Sequence, residues 1–217
     1  ILDIRLPDIS GWDVLEKLKE NPQNRHIPIH MMSGEEAQRD ALQKGAIGFL
    51  NKPVRKPDLD KAFLTIQNVI EKRIKDLLLI EDDPDLQFSI KKLIGEDDLQ
   101  ITMATTGQEA FDKLSEHQFD CAVLDLGLPD MTGFELIEKL EKATKIHIPP
   151  IIVYTGKDIS REEATRLQEF ADSIIIKGVK SEDRLLDETA LFLHRVVENM
   201  PQEKRKIIHK LYDKDEI

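Results

Sequence analysis

Four polar landmarks each follow an apolar run: Glu81-Asp82-Asp83 after DLLLI, Asp125 after CAVL, Thr155 after IIVY and Lys177 after SIII. Burying an unpaired carboxylate is unfavourable, and several close together repel one another. If Glu81, Asp82 and Asp125 converge, they call for a hard divalent cation with oxygen ligands, Mg²⁺ by availability, which keeps several waters. Lys177 would add a point positive charge and Thr155 a hydroxyl donor. A carboxylate nucleophile, a metal, a lysine and a hydroxyl together would hold a phosphoryl group, whose transfer is catalysed by positioning and charge neutralisation.

Whether these groups meet depends on the elements that carry them. DLLLI (76–80) reads as a strand buried on both faces. Pro84 opens a helix with Leu86, Ile90, Leu93 and Ile94 at helical spacing, and Gly95 closes it. QITMAT (100–105) reads as a strand, and Thr106 with Glu109 as a capping box for the next helix. CAVLD (121–125), helix 133–140, IIVYT (151–155), helix 160–170, SIII (173–176) and helix 182–197 complete the series. Strand and helix alternating in this way predict an α/β fold: a doubly wound, five-stranded parallel sheet with right-handed crossovers. Functional groups in such sheets gather at the carboxyl ends of the strands, where all four landmarks fall.

The chain also repeats itself. LDIRLPDISGWDVLEKL (2–18) matches LDLGLPDMTGFELIEKL (124–140) at nine of seventeen positions, and Asp3 falls on Asp125. The same offset carries Ser33-Gly34 onto Thr155-Gly156, and a slightly longer one carries Lys52 onto Lys177. A period of this length suits two copies of a whole domain. The first copy has nothing to match the acidic strand end at Glu81 or the two elements after it. The chain opens on Ile1-Leu2-Asp3, inside an apolar strand, and is expected to be a piece of something longer. The expected division is residues 1–74 as the C-terminal half of one domain, 75–197 as a complete domain and 198–217 as an extension with helical spacing.

LLLIEDD, VLDLGLPDMTG, VYTGK and IIIKG, in this order, resemble the signatures of receiver domains from two-component response regulators. The resemblance implies a flavodoxin-like sheet of order 2-1-3-4-5, an order of which this family supplies a standard example. It implies that Asp125 is the phosphoacceptor, that Asp82 and Asp125 touch Mg²⁺ directly with Glu81 acting through water, and that the Gly127 carbonyl is a further ligand. Thr155 would hydrogen-bond the phosphoryl group and Lys177 would pair with it. In the first copy Asp3, Ser33 and Lys52 match the phosphoacceptor, hydroxyl and lysine, with the Arg5 carbonyl in the place of Gly127. The implied partner is a histidine kinase or histidine phosphotransfer protein, and the implied parent a hybrid sensor histidine kinase with self-dephosphorylation of the receiver. The chain departs from the pattern in three places, one being that the first copy has no acidic pair. Lys52-Pro53 has the usual proline but Lys177-Gly178 does not, and Phe49 has the usual aromatic three residues before the lysine whereas Ile174 does not.

Composition narrows the alternatives. A net charge of −11 over 217 residues argues against nucleic-acid binding. One cysteine forms no internal disulfide, and no apolar run is long enough to span a bilayer, so a cytoplasmic protein without membrane contact is expected. The competing reading is a pseudo-receiver that docks partners without taking phosphate. A phosphatase with an aspartyl intermediate ranks last, because Gly127 and Arg5 stand where its second carboxylate is needed. In the tail, Ile207, Ile208, Leu211 and Tyr212 suit a short amphipathic helix.

Overall fold

The computed structural model describes residues 1–35 and 37–212. They form two compact units, one of residues 74–193 and one of residues 1–73 together with 194–212. Of the tail, residues 213–217 lie outside the described residues.

In the first unit, strands β1 (Leu2–Asp3), β2 (His30–Ser33) and β3 (Gly48–Asn51) pair in parallel in that order. Helices α1 (Gly11–Glu20), α2 (Gln38–Gln43) and α3 (Lys56–Glu71) alternate with them. Ser10 caps α1 by accepting from the Trp12 N–H. Leu15, Ile29, Met31, Ala41 and Ala46 form the core, with Leu2, Ile4, Trp12, Leu18 and Phe49 against it. Phe63, Leu64 and Ile70 of α3 are exposed.

The second unit holds β4 (Lys75–Ile80), α4 (Pro84–Ile94), β5 (Leu99–Ala104), α5 (Gly107–Glu116) and β6 (Cys121–Leu124). It continues through α6 (Gly133–Lys142), β7 (Ile151–Thr155), α7 (Arg161–Gln168), β8 (Ser173–Ile176) and α8 (Ser181–Phe192). All strand pairs are parallel and the order is β5-β4-β6-β7-β8, which is the expected 2-1-3-4-5. Residues Leu77 to Ile80, Cys121 to Leu124 and Ile151 to Thr155 are all buried, as strands covered on both faces require. Cys121 packs in the sheet as a small apolar residue, and burial pushes its thiol up.

Capping follows the sequence signals. Asp83 accepts from the Asp85 and Leu86 N–H groups before Pro84 opens α4, and Thr132 with Glu135 and Ser160 with Glu163 close capping boxes on α6 and α7. At Thr106 the hydroxyl accepts from Glu109 N–H as expected, while the Glu109 carboxylate reaches back to Thr105 N–H.

One boundary is corrected. The final helix of the second copy, expected to run to Val197, stops at Phe192, and His194 takes φ 52. A left-handed residue cannot continue a right-handed helix. Beyond it a 3₁₀ turn (Val197–Asn199) leads to α9 (Gln202–Tyr212), where Ile208 is fully buried.

Candidate functional site: a carboxylate and lysine cluster at the strand ends

Parallel pairing brings the carboxyl ends of β4, β6, β7 and β8 to one edge of the second sheet. The Asp125 N–H donates to the Ile80 carbonyl at 2.9 Å, which fixes Asp125 beside Glu81. Glu81, Asp82 and Asp125 each turn a carboxylate oxygen toward the others, all within 4.8 Å. Lys177 Nζ lies 2.9 Å from Glu81 Oε2 and 3.6 Å from Asp125 Oδ2.

Each side chain is held. Gln87 Nε2 donates to the Glu81 carbonyl at 2.6 Å, and the Asp83 N–H to Glu81 Oε1 at 3.3 Å. The Leu126 N–H donates to Asp125 Oδ1 at 2.9 Å, leaving Oδ2 turned toward Lys177. A β-carbon on Gly127 would come 3.5 Å from that Oδ2, an ordinary van der Waals contact, so Gly127 lies directly beside the carboxylate. Thr155 is buried at the end of β7, and its Oγ1 accepts from Lys157 N–H.

Burial is the main cause that raises the Glu81 carboxyl above the ordinary value, and Asp125 adds to it; Lys177 opposes both. Three carboxylates facing one ammonium leave an excess of negative charge. A hard divalent cation with oxygen ligands balances that excess, so the donor set fits Mg²⁺. Among the described residues this is the one group of three acidic or ligating side chains so arranged.

The first unit repeats half of this arrangement bond for bond. Lys52 N–H donates to the Ser33 carbonyl at 2.7 Å, as Lys177 N–H does to that of Thr155. Ser33 Oγ accepts from Glu35 N–H, as Thr155 Oγ1 does two residues on. The carboxylates differ. Lys52 Nζ sits 2.5 Å from Asp3 Oδ2, and that bond is the largest cause lowering the Asp3 carboxyl below its ordinary value. Arg5, placed by resemblance at the Gly127 position, donates its N–H to Asp3 Oδ1 and pairs its guanidinium with Glu35.

Sequence reasoning missed two participants. Tyr154 brings its ring to 5.3 Å from Lys177 Nζ, and Asp130 accepts from the Gly107 and Gln108 N–H groups at the start of α5. For Asp130 a signal existed, since its match to Asp8 falls within the repeated LPD segment.

The response regulator receiver domain family matches residues 1–64 and 77–189. The chain belongs to this family. The chain is similar, over 171 residues at 29% identity, to the autoinducer 2 sensor kinase/phosphatase LuxQ of Vibrio vulnificus, covering 76% of this chain and 19% of that protein. The two-component response regulator PhoP of Pseudomonas aeruginosa is 31% identical over 107 residues, covering 49% of this chain and 47% of its own. Among solved structures, the signal receiver domain of a LuxO repressor protein from Vibrio parahaemolyticus matches at 27% identity and a TM-score of 0.50, covering 57% of this chain and 92% of that one. The chain thus spans less than half the length of these curated relatives, and its receiver segments place it in two-component signalling.

Proposed function

We propose that the second receiver accepts a phosphoryl group on Asp125 from a phosphohistidine, within a hybrid sensor kinase acting in the cytoplasm. The carrying observation is the convergence of Glu81, Asp82 and Asp125 on one another, with Lys177 between Glu81 and Asp125. Asp125 Oδ2 is the attacking atom, because Oδ1 is held by the Leu126 N–H. A bond forms from Oδ2 to phosphorus as the donor's P–N bond breaks, and the electron pair leaves with an imidazole protonated at its other nitrogen. Lys177 and Thr155 supply a cation and a hydroxyl donor to the transferred oxygens.

Glu81, Asp82, Asp125 and the Gly127 carbonyl would hold Mg²⁺, which when bound neutralises charge on the phosphoryl oxygens. The partner is a histidine kinase or histidine phosphotransfer protein, a reading supported by the similarity to a sensor kinase/phosphatase. Asp125 is favoured over Asp3 because Lys52 occupies Asp3 directly and no acidic pair stands beside it among the described residues.

The test uses phosphoramidate, a small donor with the same P–N bond. With Mg²⁺ present, intact-mass measurement should show one hydroxylamine-sensitive phosphoryl adduct, absent after chelation and in Asp125→Asn, and retained in Asp3→Asn. An unmodified chain that takes up no adduct overturns the reading.

A further inference from the structure

The loop that carries the site lysine is built differently in the two copies. After Lys52 comes Pro53, which has no N–H to donate. After Lys177 comes Gly178, whose N–H donates to Ser181 Oγ at 3.1 Å. Ser181 N–H donates back to the Gly178 carbonyl at 3.1 Å, so residues 178–181 close a tight turn, with Lys180 in the left-handed region at φ 62. Ser181 is itself buried, and its Oγ lies 3.2 Å from the Tyr154 hydroxyl.

Tyr154 therefore touches both ends of the problem. Its hydroxyl meets the serine that holds the loop, and its ring faces the Lys177 ammonium at 5.3 Å, within reach of a cation–π attraction. It is also buried and directly precedes Thr155 on β7, so it is fixed to the strand that supplies the site hydroxyl. The first copy has Met32 and Lys56 at the matching positions, and neither can build this chain of contacts.

We infer that Tyr154 and Ser181 are positioning residues that hold Lys177 between Glu81 and Asp125, in place of the proline that follows the lysine in the first copy. The need is physical. Glycine leaves the backbone after Lys177 free, and lysine itself is a point charge on a flexible stem. A hydrogen bond that only a residue with an N–H can make, together with an aromatic face beneath the ammonium, removes much of that freedom.

This inference rests on the reading of Asp125 as phosphoacceptor, and the experiment separates the two. Labelling of the full chain by phosphoramidate and Mg²⁺ is timed for the unmodified protein and for Tyr154→Phe, Ser181→Ala, Ser181→Thr and Lys177→Ala, with circular dichroism confirming that each is folded. Misplacing one charged group should slow labelling by roughly tenfold in Tyr154→Phe and Ser181→Ala, in the same direction as Lys177→Ala. Ser181→Thr, which keeps the acceptor oxygen, should restore the rate. If the unmodified chain labels and both Tyr154→Phe and Ser181→Ala label equally fast, this inference falls and the reading of Asp125 stands. If threonine fails as alanine does, Ser181 acts through packing and the inference also falls. No labelling of the unmodified chain overturns the reading of Asp125 and this inference with it.

Discussion

At Gly133 a β-carbon would stand 2.7 Å from Leu126 Cδ2, 3.0 Å from Leu126 Cα and 3.1 Å from the Asp125 carbonyl oxygen. At Gly11 the equivalent atom would come 2.1 Å from the Asp3 carbonyl oxygen. Each glycine donates its N–H into the loop after the aspartate, to the Leu126 carbonyl at 3.0 Å and the Ile4 carbonyl at 2.8 Å. The identity of Gly11 and Gly133 across the repeat thus has a steric cause: helix start and aspartate loop approach too closely for a side chain. Gly133→Ala must push Leu126, which is buried, and the backbone of Asp125. Urea unfolding followed by circular dichroism should show a loss of about 1–3 kcal/mol, the range for overpacking a filled interior. Unchanged stability would mean that the loop gives way freely.

At the scale of elements, the loop after β6 is tied to α5 by Asp130, which accepts from the Gly107 and Gln108 N–H groups at 2.8 and 2.9 Å. Those bonds, Gln108 first, lower the Asp130 carboxyl below its ordinary value. A depressed carboxyl contributes stability above the unfolded value and loses it as pH falls through the folded one. Asp130→Ala should lower the thermal midpoint by a few degrees at neutral pH and by less in acid. Asp8→Ala, at the matching exposed position of the first unit, should leave the midpoint where it is.

Much of this level was legible in the sequence. Pro84 and Gly95 bounded α4, Thr106 marked the start of α5, and apolar runs located the five strands, because those signals are local. The Tyr154–Ser181 contact and the reach of Asp130 to α5 were not legible, because each joins residues more than twenty positions apart through the fold. The end of α8 was missed for another reason: Arg195 and Val197 are buried after the turn at His194, so burial continues where the helix does not.

At the scale of the molecule, each unit buries charged side chains. In the second, the buried carboxylate Glu81 faces Lys177. In the first, two cations are buried together: Arg25 is fully buried with its guanidinium 5.2 Å from the Tyr212 ring, and Lys19 Nζ donates to the Arg25 and Ile27 carbonyls at 2.9 and 2.7 Å. Burial first, and the Arg25 charge second, bring the Lys19 ammonium down to about 7. Between that value and the unfolded one near 10.5, the unfolded chain holds a proton that the folded one has released. Stability of the first unit should therefore rise with pH across this window, by at most about 1.4 kcal/mol per pH unit, and be flat with respect to Lys19 below it. Trp12, the sole tryptophan, packs on the core of this unit, so its fluorescence follows the right transition. Well above its folded value of about 7, where the lysine is neutral, Lys19→Met should lower stability by about 1–3 kcal/mol, because two carbonyls lose their donor. It should also abolish the rise between pH 7 and pH 9. A rise of equal slope in Lys19→Met would assign the titration to another group, and no rise in the unmodified chain would mean that Lys19 stays charged in the fold.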